Sequence, residues 1–222
     1  MIDTIIFDLD GTLLDTLEDL TDSVNYAMEQ FGLQIRTIEE VRKFVGNGVA
    51  KLIERCIPQG TQNPSYGQIL DCFKAHYAQH CEDKTRPYEG IMELLSELSR
   101  QGYHMAIVSN KFDGAVKKLN EKYFKEYIPV AIGESATVKK KPAPDTVYQA
   151  LSELACDVSH AVYVGDSEVD RQTAENVPMP CISVTWGFRT RKQLLEAGAR
   201  EACMIKSPQE LPQLLADFHQ EV

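Results

Sequence analysis

The chain has 222 residues, of which 43% are hydrophobic and 25% are charged, as in ordinary soluble globular proteins. Its formal net charge of −10, from 23 basic and 33 acidic residues, argues against nucleic acid or an anionic membrane surface as the main partner. The length suits one large domain, or one domain that carries a smaller inserted one, and no apolar stretch is long enough to span a bilayer.

The first predicted strand, residues 5–7, runs directly into two carboxylates, Asp8 and Asp10, and then into Gly11. Residues two apart in a strand point to the same side, so both carboxylates face one spot at the strand end. Gly11 lets the chain turn sharply there. Two carboxylates held close together repel each other unless a cation or a shared proton relieves them, so the pair invites a hard divalent cation. Taken alone, however, the Asp-x-Asp spacing fits a solvated acidic turn better.

The block that follows, residues 15–86, is predicted to be almost entirely helical, with no convincing strand. Apolar residues at helical spacing indicate a first helix that stops near Gly32. Thr37 is predicted to cap a second helix, because acidic residues occupy the first turn after it. The four predicted helices cover residues 14–29, the stretch between Thr37 and Gly46, 49–57 and 69–81.

From residue 87 onward, strands and helices alternate. The predicted helices cover residues 91–100, 113–119, 145–154, 168–175 and 211–218. The predicted strands cover residues 104–108, 130–132, 161–164, 181–184 and 202–205. This alternation is typical of a doubly wound parallel sheet, whose strands are buried on both faces and read as apolar runs. We therefore predict an α/β core of residues 1–14 and 87–222, with residues 15–86 inserted as an all-helical domain.

Polar residues follow several of the predicted strands, at the edge where open parallel sheets bind their ligands. They are Asp8, Asp10, Ser109, Lys141, Asp166 and Asp170. Each has an ordinary alternative: Ser109 fits a helix cap, Lys141 fits a solvated run of three lysines, and Asp166 fits a turn. Four polar sites at one edge of one sheet are much harder to explain as chance.

Four short segments, spread from one end of the chain to the other, carry these residues. They are Asp8-Leu9-Asp10-Gly11-Thr12, Ser109-Asn110, Lys141-Pro142 and Gly165-Asp166-Ser167-x-x-Asp170. In this order they resemble the motifs of the haloacid dehalogenase superfamily of aspartate-nucleophile phosphatases. The resemblance implies a Rossmann-like core with a helical cap domain inserted after the first motif.

Further stretches resemble the phosphoglycolate phosphatase group of that superfamily. They are Val45-Gly46-Asn47-Gly48-Val49, Lys141-Pro142-Ala143-Pro144-Asp145 and Thr185-Trp186-Gly187-Phe188-Arg189. The chain departs from the family after Asp170, where a small Ala-Gly turn is usual and residues 174–178 differ. We expect a rebuilt turn there, without damage to the site.

The resemblance implies a role for each motif carboxylate. Asp8 would be the nucleophile that forms an aspartyl-phosphate, and Asp10 would act as general acid and base. A magnesium ion would be held by Asp8, by Asp166 and by the backbone carbonyl of Asp10. The ion and a lysine would cancel the repulsion between the nucleophile and the anionic substrate.

The remaining motif residues are implied to bind the phosphate group. Ser109 and Asn110 would contact its oxygens, and Lys141 would neutralise its charge. Asp170 would orient Lys141 or a metal-bound water without touching the substrate. Among the three consecutive lysines, Lys139 and Lys140 are expected to be solvated.

The expected function is magnesium-dependent hydrolysis of a small phosphorylated metabolite, with 2-phosphoglycolate as the first choice. The alternatives are a phosphatase for pyrophosphate, sugar phosphates or nucleotides, a phosphomutase that shares Asp8 and Asp10, and a catalytically silent binding or regulatory protein. A dehalogenase would not need Asp10, Asp166 and magnesium. The expected partner is a small-molecule phosphate ester, with no nucleic acid and no membrane, and the expected state is a monomer or homodimer.

Other candidates have weaker patterns. His76 and His80 lie four apart on a predicted helix, with Cys72 on the same side, a spacing that can bind zinc. No glutamate adjoins His76, so an exposed helix face is the preferred interpretation.

Lys43, Lys51 and Arg55 are candidates for a positive group that binds an acidic substrate tail. The segment Gly46-Asn47-Gly48 is interpreted as a cap loop that reaches over the active site, with a plain helix–helix turn as the alternative. Trp186 and Arg189 follow a strand end and are candidates for contact with the closing cap, although core packing explains Trp186 equally well.

The six cysteines are scattered, without a Cys-x-x-Cys pair or zinc-ribbon spacing. The N-terminal residues show no basic segment followed by an apolar run, the pattern of a secretion signal. Free thiols and a cytoplasmic location are therefore expected.

Overall fold

Eight strands are present in the computed structural model, which describes residues 1–218. They are β1 (Thr4–Phe7), β2 (Leu14–Asp15), β3 (Arg86–Pro87), β4 (His104–Phe112), β5 (Val130–Glu134), β6 (Ala161–Gly165), β7 (Cys181–Val184) and β8 (Met204–Ile205). Six of them form one parallel sheet in the order β5-β4-β1-β6-β7-β8, and β2 pairs with β3. In the centre of the six-stranded sheet, Phe7 of β1 lies opposite Ile107 of β4 and Val164 of β6. The residues that follow these three strands therefore meet at one edge.

The chain divides into two compact units, one of residues Met1–Leu14 and Pro87–Val222 and the other of residues Asp15–Arg86. The first unit contains the six-stranded sheet. Its helices are α5 (Ile91–Arg100), α6 (Asp113–Tyr123), α7 (Asp145–Leu154), α8 (Glu168–Asn176), α9 (Arg191–Glu196) and α10 (Leu211–Phe218). The second unit contains α1 (Leu17–Gln30), α2 (Ile38–Phe44), α3 (Val49–Cys56) and α4 (Tyr66–His80).

Alternating side chains of β1 pack on opposite faces of the sheet. Ile5 and Phe7 belong to a buried cluster that includes residues of α5, α6 and α10. Ile6 belongs to a second buried cluster, with residues of α7 and α8. Helices on both faces of the sheet remove the strand side chains from water. This burial stabilises the folded state by about 25 cal/mol for each Å² of apolar surface. This arrangement confirms the predicted doubly wound α/β class.

Several predicted bounds agree with the structure, and others need correction. The helices α5, α7 and α10 and the strand β7 have the predicted limits. The strand predicted over 104–108 is longer, because β4 continues to Phe112 alongside β5. The helix predicted from residue 14 begins at Leu17, since Leu14–Asp15 is strand β2 instead. The strand predicted over 202–205 keeps only Met204–Ile205, because Glu201–Cys203 is a 3₁₀ turn.

Caps account for two short helices. Thr37 forms the predicted capping box with Glu40 at the start of α2. Thr190 forms another with Gln193 and starts α9, a helix of six residues that the sequence pattern did not predict.

After α8, the chain turns where the Met179 N–H donates to the Ala174 carbonyl. Among residues 1–218, no helix is long and apolar enough to cross a membrane.

Candidate active site

The edge of the sheet beyond β1 and β6 is built so that two aspartates approach each other. The Asp8 N–H donates to the Val164 carbonyl at 2.9 Å, which fixes the start of the turn after β1. Gly11 has φ +91°, and a Cβ there would lie 2.4 Å from Asp166 Oδ2. A Cβ at Gly187 would lie 2.2 Å from the Gly11 carbonyl oxygen and 2.5 Å from the Asp166 side chain. Glycine is therefore required at both positions for Asp166 to keep its place.

Lys141 lies at the centre of the site. Its Nζ donates to Asp8 Oδ1 at 2.6 Å, to Asp170 Oδ1 at 2.7 Å and to the Tyr163 hydroxyl at 3.0 Å. These three bonds use all three N–H groups of the ammonium. Burial by itself lowers the pKa of Lys141, but the charges of Asp170 and Asp8 outweigh it and hold that pKa well above the usual value. Lys141 is therefore a permanent cation inside the site.

Asp170 is held on both carboxylate oxygens. Oδ1 accepts from Lys141 and, at 3.2 Å, from the Tyr163 hydroxyl. Oδ2 accepts from the N–H of Ser167 at 3.0 Å and from its Oγ at 2.6 Å. The Ser167 bonds form the capping box of α8 and tie Asp170 to the first turn of that helix.

Three buried carboxylates, those of Asp8, Asp166 and Asp170, have oxygens that lie within 4.8 Å of one another. They are the one such group of three metal-ligand side chains in the part of the chain that the structure describes. Burial, with the charge of Asp170, raises the pKa of Asp8 to about 7 from an ordinary 3.8, although Lys141 acts in the opposite direction. Burial and the charges of Asp170 and Asp8 also raise the pKa of Asp166 well above its usual value. The carboxylates therefore need a further positive charge to ionise together.

Asp10 points to a different partner. Its Oδ1 accepts from Lys111 Nζ at 2.6 Å, and its Oδ2 accepts from Ser109 Oγ at 3.4 Å. Lys111 was not predicted, although it directly follows the Ser109-Asn110 motif in the sequence. Its side chain is only 3% exposed, and an ammonium that deep requires a negative partner. Asn110 donates from Nδ2 to the Lys141 carbonyl at 3.0 Å, so it fixes the loop that carries Lys141.

The charges of this edge do not cancel within the protein. Four carboxylates gather here and two ammonium groups pair with them, which leaves two negative charges when all are ionised. The carboxylates belong to Asp8, Asp10, Asp166 and Asp170, and the ammonium groups to Lys111 and Lys141. One divalent cation would balance this excess, and carboxylate oxygens are the ligands that magnesium prefers. The residues present therefore fit a magnesium ion.

Two residues near the site, which the sequence analysis associated with closure of the cap, have partners within their own unit. Trp186 Nε1 donates to the Thr12 carbonyl at 3.0 Å. Arg189 pairs with Glu168 at 2.9 Å. The two bonds join the segment after β7 to the turn after β1 and to the first turn of α8.

The histidines of α4 make contacts with neighbouring side chains. His76 Nδ1 lies 3.0 Å from Ser23 Oγ, and His80 Nδ1 lies 2.7 Å from Asp83 Oδ2. The rings of His76 and His80 stack with centroids 4.3 Å apart, and Tyr26 stacks on His76 at 4.1 Å. Both histidines therefore have side-chain partners within this unit.

Comparison with known proteins gives consistent results. The family model described as Haloacid dehalogenase-like hydrolase matches residues 5–184. A phosphoglycolate phosphatase of Mesorhizobium japonicum is 31% identical over 191 residues, covering 84% of this chain and 84% of that protein. A phosphoglycolate phosphatase of Agrobacterium fabrum is 32% identical over 192 residues, covering 82% of this chain and 80% of that protein.

Solved structures agree with the sequence matches. A candidate phosphoglycolate phosphatase from Lactobacillus delbrueckii subsp. bulgaricus is 36% identical with a TM-score of 0.90, over 94% of this chain and 96% of that one. CbbY from Rhodobacter sphaeroides, solved in complex with phosphate, is 25% identical with a TM-score of 0.78, over 95% of this chain and 96% of that one. With the four motifs gathered at one edge of the parallel sheet, these matches show that the chain belongs to the haloacid dehalogenase-like hydrolases and is a phosphatase of that family.

Proposed function

We propose that the protein is a magnesium-dependent phosphatase that hydrolyses a small phosphorylated metabolite, 2-phosphoglycolate first, through an aspartyl-phosphate on Asp8. The observation that carries this proposal is the ion pair between Asp8 and Lys141 inside a buried group of carboxylates. The names of the relatives support the choice of substrate. The relative solved with phosphate supports the binding of a phosphoryl group.

The magnesium ligands in this proposal are the carboxylates of Asp8 and Asp166 and the backbone carbonyl of Asp10. Asp170 also belongs to the group of three carboxylates, but both of its oxygens are occupied by donors. Its proposed role is therefore to orient Lys141. When bound, magnesium offsets the negative charge and polarises the phosphoryl oxygens.

The protein's own residues supply two chemical steps. Asp8 attacks phosphorus while the bond to the leaving oxygen breaks, and Asp10 gives that oxygen a proton. Asp10 then takes a proton from a water molecule that attacks the aspartyl-phosphate, which frees Asp8 and inorganic phosphate. Ser109 and Lys141 stabilise the phosphoryl oxygens in both steps, Lys141 mainly through its charge because its donors are already bonded.

The two units have separate proposed roles. Residues 1–14 and 87–222 form the catalytic core, and residues 15–86 form a cap that selects the substrate. The proposed partner is a small phosphate ester, in a monomeric or homodimeric protein. The six cysteines are all free, which supports a cytoplasmic location.

The decisive experiment compares initial rates of phosphate release from 2-phosphoglycolate, pyrophosphate, several sugar phosphates and nucleotides. Each substrate is run with magnesium, with a chelator, and with the Asp8→Asn variant as the blank. A magnesium-dependent preference for 2-phosphoglycolate supports the full proposal. Equal and weak rates for every compound would contradict the substrate assignment, and release without magnesium would contradict the cofactor.

The raised pKa of Asp8 predicts how pH affects stability and magnesium binding. In the metal-free protein the pKa of this carboxyl is about 7, so its ionised fraction grows as pH approaches 7, whereas the unfolded chain releases the proton near the ordinary value of 3.8. The contribution of Asp8 to the free energy of unfolding is therefore fully present at pH values below its pKa in the unfolded chain. It is lost as pH rises through the folded-state pKa of about 7. Magnesium competes with the same proton, so its affinity rises over this interval and its binding releases protons below pH 7.

Two measurements check this prediction. Thermal unfolding without magnesium, repeated from pH 5 to pH 8, measures how stability changes with pH. Titration calorimetry with magnesium in two buffers of different ionisation enthalpy counts the protons released on binding. The Asp8→Asn variant serves as the control, because it lacks the titrating group. A magnesium affinity that stays constant from pH 5 to pH 8 would rule out the coupling.

Tyr163→Phe tests the third donor bond of Lys141. The change removes one hydroxyl that accepts from Lys141 and donates to Asp170, and it preserves the ring. We expect the free energy of unfolding to fall by about 1–3 kcal/mol, because buried groups lose a partner. We expect kcat to fall by about 3- to 10-fold. This corresponds to a rise in the activation free energy of the same order as the free energy of one hydrogen bond. Tyr148→Phe on the exposed surface is the control, and equal kcat values for the two variants would contradict the role of Tyr163.

A further inference from the structure

Lys111 is buried where a lysine is costly. Its side chain is 3% exposed, that of Asp10 is 15% exposed, and the two charges meet at 2.6 Å. A well-packed apolar residue would serve the fold as well as a buried ion pair does, because desolvation offsets most of the attraction. The contact with Asp10 offers a reason for a lysine at this position.

The backbone around Lys111 is shaped for this contact. The pairing of β4 with β5 shifts register between Val108 and Phe112, so the strand is irregular over these residues. In this stretch the Lys111 N–H donates to Ser109 Oγ at 3.1 Å. The β5 backbone comes so close that a Cβ at Gly133 would lie 2.8 Å from the Lys111 carbonyl oxygen. The irregular strand thus presents the side chains of Ser109 and Lys111 to the same carboxylate.

The two contacts to Asp10 are unequal. The Lys111 ammonium is charged and bonds Oδ1 at 2.6 Å, whereas the Ser109 hydroxyl is neutral and reaches Oδ2 only at 3.4 Å. Charge-assisted bonds are shorter and about twice as strong as neutral ones. Lys111 therefore fixes the direction of the Asp10 carboxylate, and Ser109 alone would not.

We propose that Lys111 is a positioning residue, which bonds Oδ1 of the Asp10 carboxyl group and so holds the group, protonated at the start of the reaction, in the direction required for proton transfer to the leaving oxygen. This inference rests on the proposed function, in which Asp10 protonates that oxygen. Lys111 touches neither the phosphorus nor the leaving group in this role. A carboxyl group turned away from the leaving oxygen cannot deliver its proton there, and the contribution of general acid catalysis, typically about 10²–10⁴-fold, is lost.

The leaving group distinguishes this role from a purely structural one. The alkoxide that leaves 2-phosphoglycolate needs a proton, whereas the phenolate that leaves p-nitrophenyl phosphate is stable without one. We expect Lys111→Met to lower kcat/KM for 2-phosphoglycolate by about 100-fold and that for p-nitrophenyl phosphate by no more than about 3-fold. kcat/KM is the informative quantity because it reports the transfer to Asp8, the step in which the acid acts. Lys139→Met, on an exposed lysine, is the matched control and should change neither rate.

A double-mutant cycle tests whether Lys111 acts through Asp10. If it does, adding Lys111→Met to Asp10→Asn lowers kcat/KM no further. Lys111→Arg keeps the positive charge and should recover part of the loss, and circular dichroism with thermal unfolding shows which variants remain folded. Additive losses in the cycle, or equal losses for the two substrates, would overturn the inference.

A structural measurement gives a readout that does not depend on turnover. In a crystal structure of Lys111→Met, we expect the Asp10 carboxylate to have rotated away from its direction in the unmodified protein. An unchanged carboxylate would refute the positioning role. The proposed function fails on different grounds, namely turnover that persists in Asp8→Asn or the absence of magnesium-dependent release by the unmodified protein.

Discussion

We expect Asp8→Asn to abolish phosphate release from every substrate, lowering kcat by about 10⁴-fold or more. The amide has nearly the shape of the carboxylate but is a very poor nucleophile, so no aspartyl-phosphate forms. Acid-quenched samples examined by mass spectrometry should contain phosphorylated protein for the unmodified chain and none for the variant. Activity near that of the unmodified protein would exclude Asp8 as the nucleophile.

The same variant should remain folded. Asp8 is buried, and its pKa of about 7 means that the ionised form is disfavoured in the metal-free protein. An uncharged amide removes that cost, so the thermal midpoint above pH 7 without magnesium should equal or exceed that of the unmodified protein. Magnesium should stabilise the variant less, because one of the proposed carboxylate ligands is missing. Asp3→Asn, on the exposed surface, is the control for a general effect of charge.

The second large effect is expected for Lys141→Met, which removes the central cation. Asp8 and Asp170 each lose an ion pair at 2.6–2.7 Å, and Tyr163 loses its donor. Breaking a buried ion pair by removing one partner typically costs about 3–5 kcal/mol of unfolding free energy. We expect kcat to fall by about 10³-fold, because the proposed mechanism uses this charge to stabilise the phosphoryl oxygens. Unfolding curves and initial rates measure the two effects, with Lys139→Met as the control.

The pH dependence of the Lys141→Met variant provides a second check. The loss of the cation leaves neighbouring carboxylates unpaired, and protonation relieves their repulsion. The stability difference from the unmodified protein should therefore be smaller at pH 5 than at pH 8. Magnesium should reduce the difference at pH 8 as well. A stability difference that is the same at all pH values would mean that Lys141 stabilises the protein through packing of its methylene chain and not through its charge.

The fold and part of the site could be predicted from local patterns. Apolar strands that end in polar residues are visible in the sequence, and a parallel sheet brings such ends together. Asp8 and Asp166 were predicted to be neighbours for this reason, and the structure brings their carboxylates within 4.8 Å of each other. The Thr37 cap was predictable too, since a capping box involves only neighbouring residues.

Residues whose roles depend on distant pairing were missed. Lys111 follows the apolar run of β4, so a local pattern ends the strand before it, whereas pairing with β5 carries the strand to Phe112. Tyr163 reads as one more apolar residue of β6, and only the folded chain brings its hydroxyl to Lys141. The start of α1 was misplaced because the pairing of Leu14–Asp15 with Arg86–Pro87 is not visible in a helical pattern.

The central position of β1 has a consequence for biosynthesis. Thr4 pairs with His104 on one side and with Ala161 on the other, so the strand that is translated first waits longest for its partners. One backbone edge of β1 stays unpaired on the ribosome until β4 has emerged, and the other until β6 has emerged. Such unpaired edges promote association between nascent chains. Residues 15–86 make their contacts mostly among themselves and can fold earlier. A chain truncated before β6 would thus carry Asp8 after an aggregation-prone strand, without Asp166 beside it.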